Sequence, residues 1–199
     1  MPIKSIAVKG FTLIELVVTM AVLAILVALA APSFESVFNN NRLTGNANQL
    51  LAGLQSARME AVRRNARVVV CSNATPDVAN DCNGAWQGWM TYVDDGAGNP
   101  LNASNGVFDA GEAVLSSGTI SAPTQLQASP AISVDNLISF SPDGLAYDNA
   151  GALLRARFAF CIPTVSPPEN TRFITILAGS QMTITRFDGG GACAAPANP

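Results

Sequence analysis

Histidine is missing from this sequence, and lysine stops at residue 9: Lys4 and Lys9 are the only two. Everything downstream lacks the commonest general base, the commonest metal ligand and any lysine for a Schiff base or a phosphate loop. Charge is scarce too. Asp, Glu, Lys and Arg supply 13% of the 199 residues, roughly half the share usual in soluble domains. Aromatics are 7%, and no C-x-x-C pair, internal repeat or second domain is visible. These absences argue against most enzymes before any motif is read. A net charge of −3 argues against an overall basic nucleic-acid binder. What is abundant is apolar: 49% of residues, with a mean hydropathy of +0.29. That excludes a disordered chain, and the length suits one domain with its own core.

The apolar residues concentrate in one place. Residues 11–31 read FTLIELVVTMAVLAILVALAA, with Glu15 as the single charge. As a helix this segment spans ~30 Å, the thickness of a bilayer core. The preceding MPIKSIAVKG carries Lys4 and Lys9 and no acid, which holds that end in the cytoplasm and sends the rest across. Three readings compete. A cleaved secretory signal has an A-x-A site at Ala28-Leu29-Ala30, yet the apolar stretch exceeds the usual ~7–15-residue core of such signals and contains Glu15. A plain anchor leaves Glu15 as an unexplained acid, at ~2.5–3.5 kcal/mol for a helix centre.

The third reading accounts for more residues together. Gly10-Phe11-Thr12-Leu13-Ile14-Glu15 resembles the type IV prepilin signal. In that family a membrane peptidase cuts after the glycine and methylates the new N-terminus, so the basic leader goes and the apolar helix stays. The resemblance implies that Gly10 ends the leader and Phe11 is the N-methylated mature N-terminus. It makes Glu15 the acid carried in the span, suited to pair with a neighbouring subunit's N-terminal ammonium. It makes Pro32 a helix break. A mature start at Ala31 would instead mark a secretory signal.

Beyond the span, Leu43, Ala47, Leu50, Leu54, Ala57 and Ala61 recur at steps of four and three, one face of an amphipathic helix. Arg58, Arg63 and Arg64 fall elsewhere around it. With Arg67 they read as a solvated helix end that complements the dipole. Pro32, the run Asn39-Asn40-Asn41 and Gly45 are weak helix points, so a kink, or local melting once assembled, is expected near them. After Asn65 the pattern turns to β. Residues 67–71, 88–93, 137–140, 154–162, 172–177 and 182–187 read as strands, the last two as a hairpin around Gly179-Ser180. Gly, Asn, Asp, Ser and Pro separate them.

The order of segments, LQSARMEAVRRNARVVVC, WQGWMTYVDD, GVFDAGEAVL, ISFSPDG, FAFC, RFITI and a terminal cysteine, resembles the GspH/FimT family of minor pilins and pseudopilins. That resemblance implies an α+β, type IV pilin-like lollipop: a long N-terminal helix packed on a β-sandwich-like antiparallel head. The expected organisation is a cleaved leader over 1–10, a helix over 11–66 whose residues 11–31 form the transmembrane and assembly segment, and a periplasmic head over 67–199.

Four cysteines stand at 71, 82, 161 and 193. An exported head meets an oxidising compartment, whereas zinc would want C-x-x-C or histidine partners. Four cysteines allow three pairings. Cys71–Cys82 closes a short loop and Cys161–Cys193 tethers a glycine-rich tail, so these two are expected. Trp86 and Trp89 suit either core packing or a partner surface. Their odd spacing puts them on opposite faces of an extended chain, one buried and one available. Asp94, Asp95, Asn99, Asp109 and Glu112 form a loose acidic loop whose oxygens could ligate Ca²⁺, but the spacing is not an EF-hand and a solvated turn is the plainer reading. No cofactor is expected. Some FimT-like proteins bind DNA through a G-R-x-R motif, where this chain has Gly179-Ser180-Gln181-Met182, with Arg186 alone nearby. Without its leader the chain has nine arginines against 14 acids, net −5, a field that repels DNA.

The expected function is therefore non-enzymatic and structural: a prepilin processed by prepilin peptidase and placed at the tip of a type IV pilus, where it primes assembly. Its expected partners are other minor pilins, the major pilin and the bacterial inner membrane, and nucleic acid is not expected among them. The alternatives are a GspH-type minor pseudopilin of a type II secretion system, a DNA-uptake pilin, and a secreted periplasmic binding domain.

Overall fold

The computed structural model describes residues 10–73, 82, 84–97, 105–109, 111–148 and 150–199, and for residues 29–33 the backbone alone. Residues 1–9 of the expected leader, and Asn99, lie outside the described residues.

One helix, α1 (Leu13–Arg64), runs for 52 residues, about 78 Å at 1.5 Å per residue. Thr12 caps its start: the Glu15 N–H donates to Thr12 Oγ1 at 3.3 Å, satisfying one of the four orphan donors of a helix start. Thr12 and Glu15 stand at the spacing of a capping box. The helix ends at Asn65, in the left-handed region at φ 51°, where Asn pays less steric cost than most residues. The N–H of Ala66 closes back onto the Ala61 carbonyl at 3.3 Å, a Schellman-type end.

The break expected at Pro32 is absent, because α1 continues through that residue. An interior proline removes one ladder bond and favours a kink, yet helical backbone continues on both sides of it. Nor do the three asparagines interrupt the helix. Asn39 Nδ2 donates to the Ser166 carbonyl at 2.9 Å, and the Asn40 side chain accepts from the Arg172 guanidinium. These polar side chains dock the helix on the head.

Among the described residues the head has nine strands in two antiparallel sheets. β1 (Arg67–Ser72), β2 (Gly88–Asp94), β3 (Val114–Thr119), β5 (Leu137–Phe140) and β6 (Ala146–Tyr147) form one sheet in the order β3-β2-β1-β5-β6. β4 (Gln125–Ala128), β7 (Ala156–Cys161), β8 (Thr171–Leu177) and β9 (Gln181–Phe187) form the other in the order β4-β7-β8-β9. A single turn of helix, α2 (Pro130–Ser133), follows β4. The β8–β9 hairpin turns through Gly179 and Ser180, both at positive φ.

One core joins these parts. Leu43, Ala47, Leu50, Leu54, Ala57 and Ala61 are fully buried against Val68, Val70, Ile138 and Phe140 of the first sheet and Phe158, Phe160, Ile174 and Ile176 of the second. Burying each leucine contributes ~1.5–3 kcal/mol, against ~1 kcal/mol for a typical hydrogen bond. The apolar stripe, more than the asparagines, therefore holds the helix to the head. A smaller cluster of Val69, Cys71, Met90, Tyr92 and Leu137 covers the outer face of the first sheet, with Cys82 and Phe108 packed on it. Every residue of β2 is consequently buried, on both faces.

Candidate functional site

Two halves of α1 behave differently. From Leu43 to Ala61 one stripe is buried in the head. Toward the N-terminus the apolar side chains are uncovered: Phe11 and Leu13 are each 81% exposed, and Leu16, Val17, Val22, Leu26, Phe34 and Phe38 are all more than half exposed. Among the described residues no helix is long and apolar enough to cross a membrane.

Gly10 and Phe11 lie ahead of the helix and are exposed, and a Cβ added to Gly10 would meet nothing within 4 Å. Backbone that open is accessible to another protein. Glu15 sits in the first turn with its side chain exposed and, among the described residues, has no ion-pair partner. A carboxylate there complements the helix dipole. If the surrounding apolar surface were buried, that charge would need a cation.

The structure joins Cys71 to Cys82 and Cys161 to Cys193, with S–S distances of 2.03 and 2.09 Å. The second bond ties the tail to β7. Asn170, fully buried, reinforces it: its Nδ2 donates to the Ile162 and Ala192 carbonyls, and its Oδ1 accepts from the Gly189 N–H at 2.8 Å. Asn198 Oδ1 accepts from the Ala131 N–H at the start of α2. Neither asparagine carries a signal in the sequence, since their partners are backbone groups far along the chain.

The acidic loop is drawn inward. Asp94, fully buried, accepts from the Gly106 N–H at 2.9 Å and faces Arg67 Nε at 3.5 Å. Glu112, 6% exposed, accepts from the N–H groups of Gly96 and Asp109. Asp95 stays outside and accepts from the Ala97 N–H. Burial is the main force raising the Glu112 carboxyl above its ordinary value. Burial, followed by the nearby Asp94 and Glu112 charges, raises the Tyr92 phenol. Asp94 and Glu112 are spent on loop amides, and the solvated turn expected of these two is corrected to a buried hydrogen-bonded one, while Asp109 is half-buried. Among the described residues no group of three Asp, Glu, Cys or His is placed to hold a metal ion.

Both tryptophans are buried, at 6% and 5% exposed. Alternation fails for Trp86 because it precedes β2, and its ring meets Phe158 edge-on at 4.8 Å. Trp89 fills a slot between Gly53 of α1 and Gly118 of β3. The arginines at the helix end are engaged rather than merely solvated. Arg63 and Arg64 share Glu60, at 2.6 and 2.7 Å, and their hydrogen bonds hold its carboxyl down to about 2. Arg58 donates to the Ser180 carbonyl at 3.2 Å.

Comparison with known proteins follows the same two-part division. A family model described as type II transport protein GspH matches residues 46–191. Another, described as the prokaryotic N-terminal methylation motif, matches residues 7–31. No curated protein matches the chain. Among solved structures, the minor pseudopilin EpsH from the type 2 secretion system of Vibrio cholerae is similar at a TM-score of 0.47 and 10% identity, covering 73% of this chain and 97% of that one. The type IV minor pilin FimU of Pseudomonas aeruginosa is similar at 0.45 and 19%, covering 73% and 90%.

Proposed function

Because the chain belongs to the GspH family and carries the prokaryotic N-terminal methylation motif, we propose that it is a structural minor subunit of a pilus-type filament, made as a prepilin, cut after Gly10 and N-methylated at Phe11. One observation carries this reading: the apolar half of α1 stands uncovered while the other half is sealed into the head. A helix apolar all round is stable only when something buries it. The inner membrane does so before assembly, and the helices of neighbouring subunits do so afterwards. Glu15 then finds its cation in the mature N-terminal ammonium of an adjacent subunit, which relieves the cost of an unpaired acid in an apolar bundle. The head faces the periplasm, where the two disulfides persist.

The site we propose in the filament is at or near the tip of a type IV pilus, beside other minor pilins and on the major-pilin shaft. The description of the matched family favours a second reading, a minor pseudopilin of a type II secretion system. Intact-mass spectrometry of the membrane-extracted protein tests the processing, with an N-methylated start at Phe11 expected; a start at Ala31 would overturn it. Deleting the gene separates the two machines. Loss of surface pili with secretion intact supports the pilus, and the reverse supports the pseudopilus.

A further inference from the structure

The four-stranded sheet ends in an unguarded edge. β9 pairs with β8 along all seven of its residues without a register shift, and on its other side no described strand pairs with it. Strand edges are usually blunted by shortness, bulges, lysine or proline. The other edges have such devices: β6 has two residues, β4 has four, and the pairing of β3 shifts register beside Tyr92. β9 reads QMTITRF, with no proline, lysine or glycine and a high share of β-branched residues.

Beside this edge α1 carries apolar surface that nothing covers. Met59 is 65% exposed and Val62 53%. With Arg58, Arg63 and the first residues of β9 they line a groove of about 820 Å³. Met182 lies on its floor, opposite the fully buried Ile176 of β8 in register. The groove thus lies between α1 and the start of β9, and a strand added to that edge would lie ~4.8 Å beyond β9.

We propose that this edge and groove take an extended acidic and apolar segment of a different protein subunit, added to the sheet as a fifth strand. Charge selects the occupant. Arg58 is half-buried and, among the described residues, no carboxylate pairs with it. Arg63 and Arg64 divide the single carboxylate of Glu60. The wall is therefore positive on a mature chain of net −5. A second copy donating its own β9 would bring Arg186 and no acid, leaving Arg58 unanswered. A strand with apolar residues at alternate positions covers Met59, Val62 and Met182, and an Asp or Glu among them reaches Arg58. Main-chain bonds supply affinity and the alternate side chains supply selection. The inference uses only the head and the C-terminal part of α1, so it stands or falls separately from cleavage after Gly10.

The test titrates the full chain, in detergent micelles, with an alternating Val/Glu heptapeptide and with its Val/Lys counterpart, followed by amide hydrogen exchange. The Val/Glu peptide is expected to slow exchange in β9 about tenfold or more, while the Val/Lys peptide leaves it unchanged. Arg58→Glu should reverse that preference. Val62→Glu, at a site 53% exposed, should abolish protection by the Val/Glu peptide. No protection of β9 by either peptide at millimolar concentration overturns the proposal, as does equal protection by both. Protection that grows with protein concentration alone also overturns it, because it assigns the edge to a second copy.

Discussion

The indole of Trp89 sets what residue 53 of the helix can be. Replacing Gly53 with alanine brings two opposed effects. Helix propensity favours alanine by ~1 kcal/mol. Against this, the new Cβ would stand 2.6 Å from Trp89 Cη2 and 2.9 Å from Cζ3, well inside the ~3.5–4.0 Å of a favourable carbon contact. The ring has no room to retreat. On its other side a Cβ at Gly118 would lie 2.5 Å from the indole Nε1, so Trp89 already touches both backbones. Overpacking of this kind costs ~1–3 kcal/mol, which outweighs the propensity gain. Gly53→Ala should lose about 1 kcal/mol net, or ~2–4 °C of Tm for a chain this size. Gly45→Ala is the control: nothing lies within 4 Å of its added Cβ, so it should gain about as much. Calorimetry of the full chain in detergent reads both. In a Trp89→Phe background the smaller ring makes room, and Gly53→Ala should become neutral or stabilising, a coupling of ~1 kcal/mol or more. A Tm raised equally by both glycine substitutions, or a Gly53→Ala penalty unchanged by Trp89→Phe, would refute the reasoning.

The disulfides differ in the length of chain they close. By chain entropy the Cys161–Cys193 bond, at a separation of 32, contributes ~3.7 kcal/mol, and the Cys71–Cys82 bond, at 11, ~2.8 kcal/mol. The double serine variant of the first pair should therefore melt lower than that of the second, and the opposite order would contradict the role of the tail tether. Glu60, held down to about 2 by Arg63 and Arg64, makes a pH-dependent contribution. Its folded-state value is depressed, so that stability is present above the ordinary 4.5 and is lost as pH falls toward 2. Denaturant titrations from pH 7 down to 2 should show this slope at low salt, weakened by high salt, and Glu60→Gln should flatten it.

The amphipathic half of α1 was legible residue by residue, because all six predicted stripe positions are the buried ones. A helix face is a property of one segment, and its period survives whatever packs against it. The hairpin of β8 and β9 was legible for a similar reason, since its partner strand is local. Trp86 and Trp89 were not, because alternation holds only within a strand, and Trp86 precedes β2, so both rings enter the same core. The docking role of the asparagines at 39 and 40 was hidden for a similar reason. Propensity marks them as weak helix formers, but their side chains meet Ser166 and Arg172, more than a hundred residues on.

The contrast between the two halves of α1 also bears on what Glu15 is for. Local capping needs only a backbone N–H at residue 15, and that N–H is what Thr12 accepts. Leucine there would serve the cap as well. The carboxylate itself meets no cation among the described residues, although the apolar residues around it must be buried for the protein to persist in water or membrane. An acid kept in such a helix costs ~2.5–3.5 kcal/mol at a bilayer centre and less near its end. Glu15 lies near the end, so the penalty while the subunit waits in the membrane is small. It becomes large only when neighbouring helices close over the residue and remove it from water. A positive N-terminus brought by one of those neighbours would then turn the penalty into selection for one register of packing. On the function proposed above, the charge is tolerated before assembly and specific during it, a combination that an uncharged residue at this position would not supply.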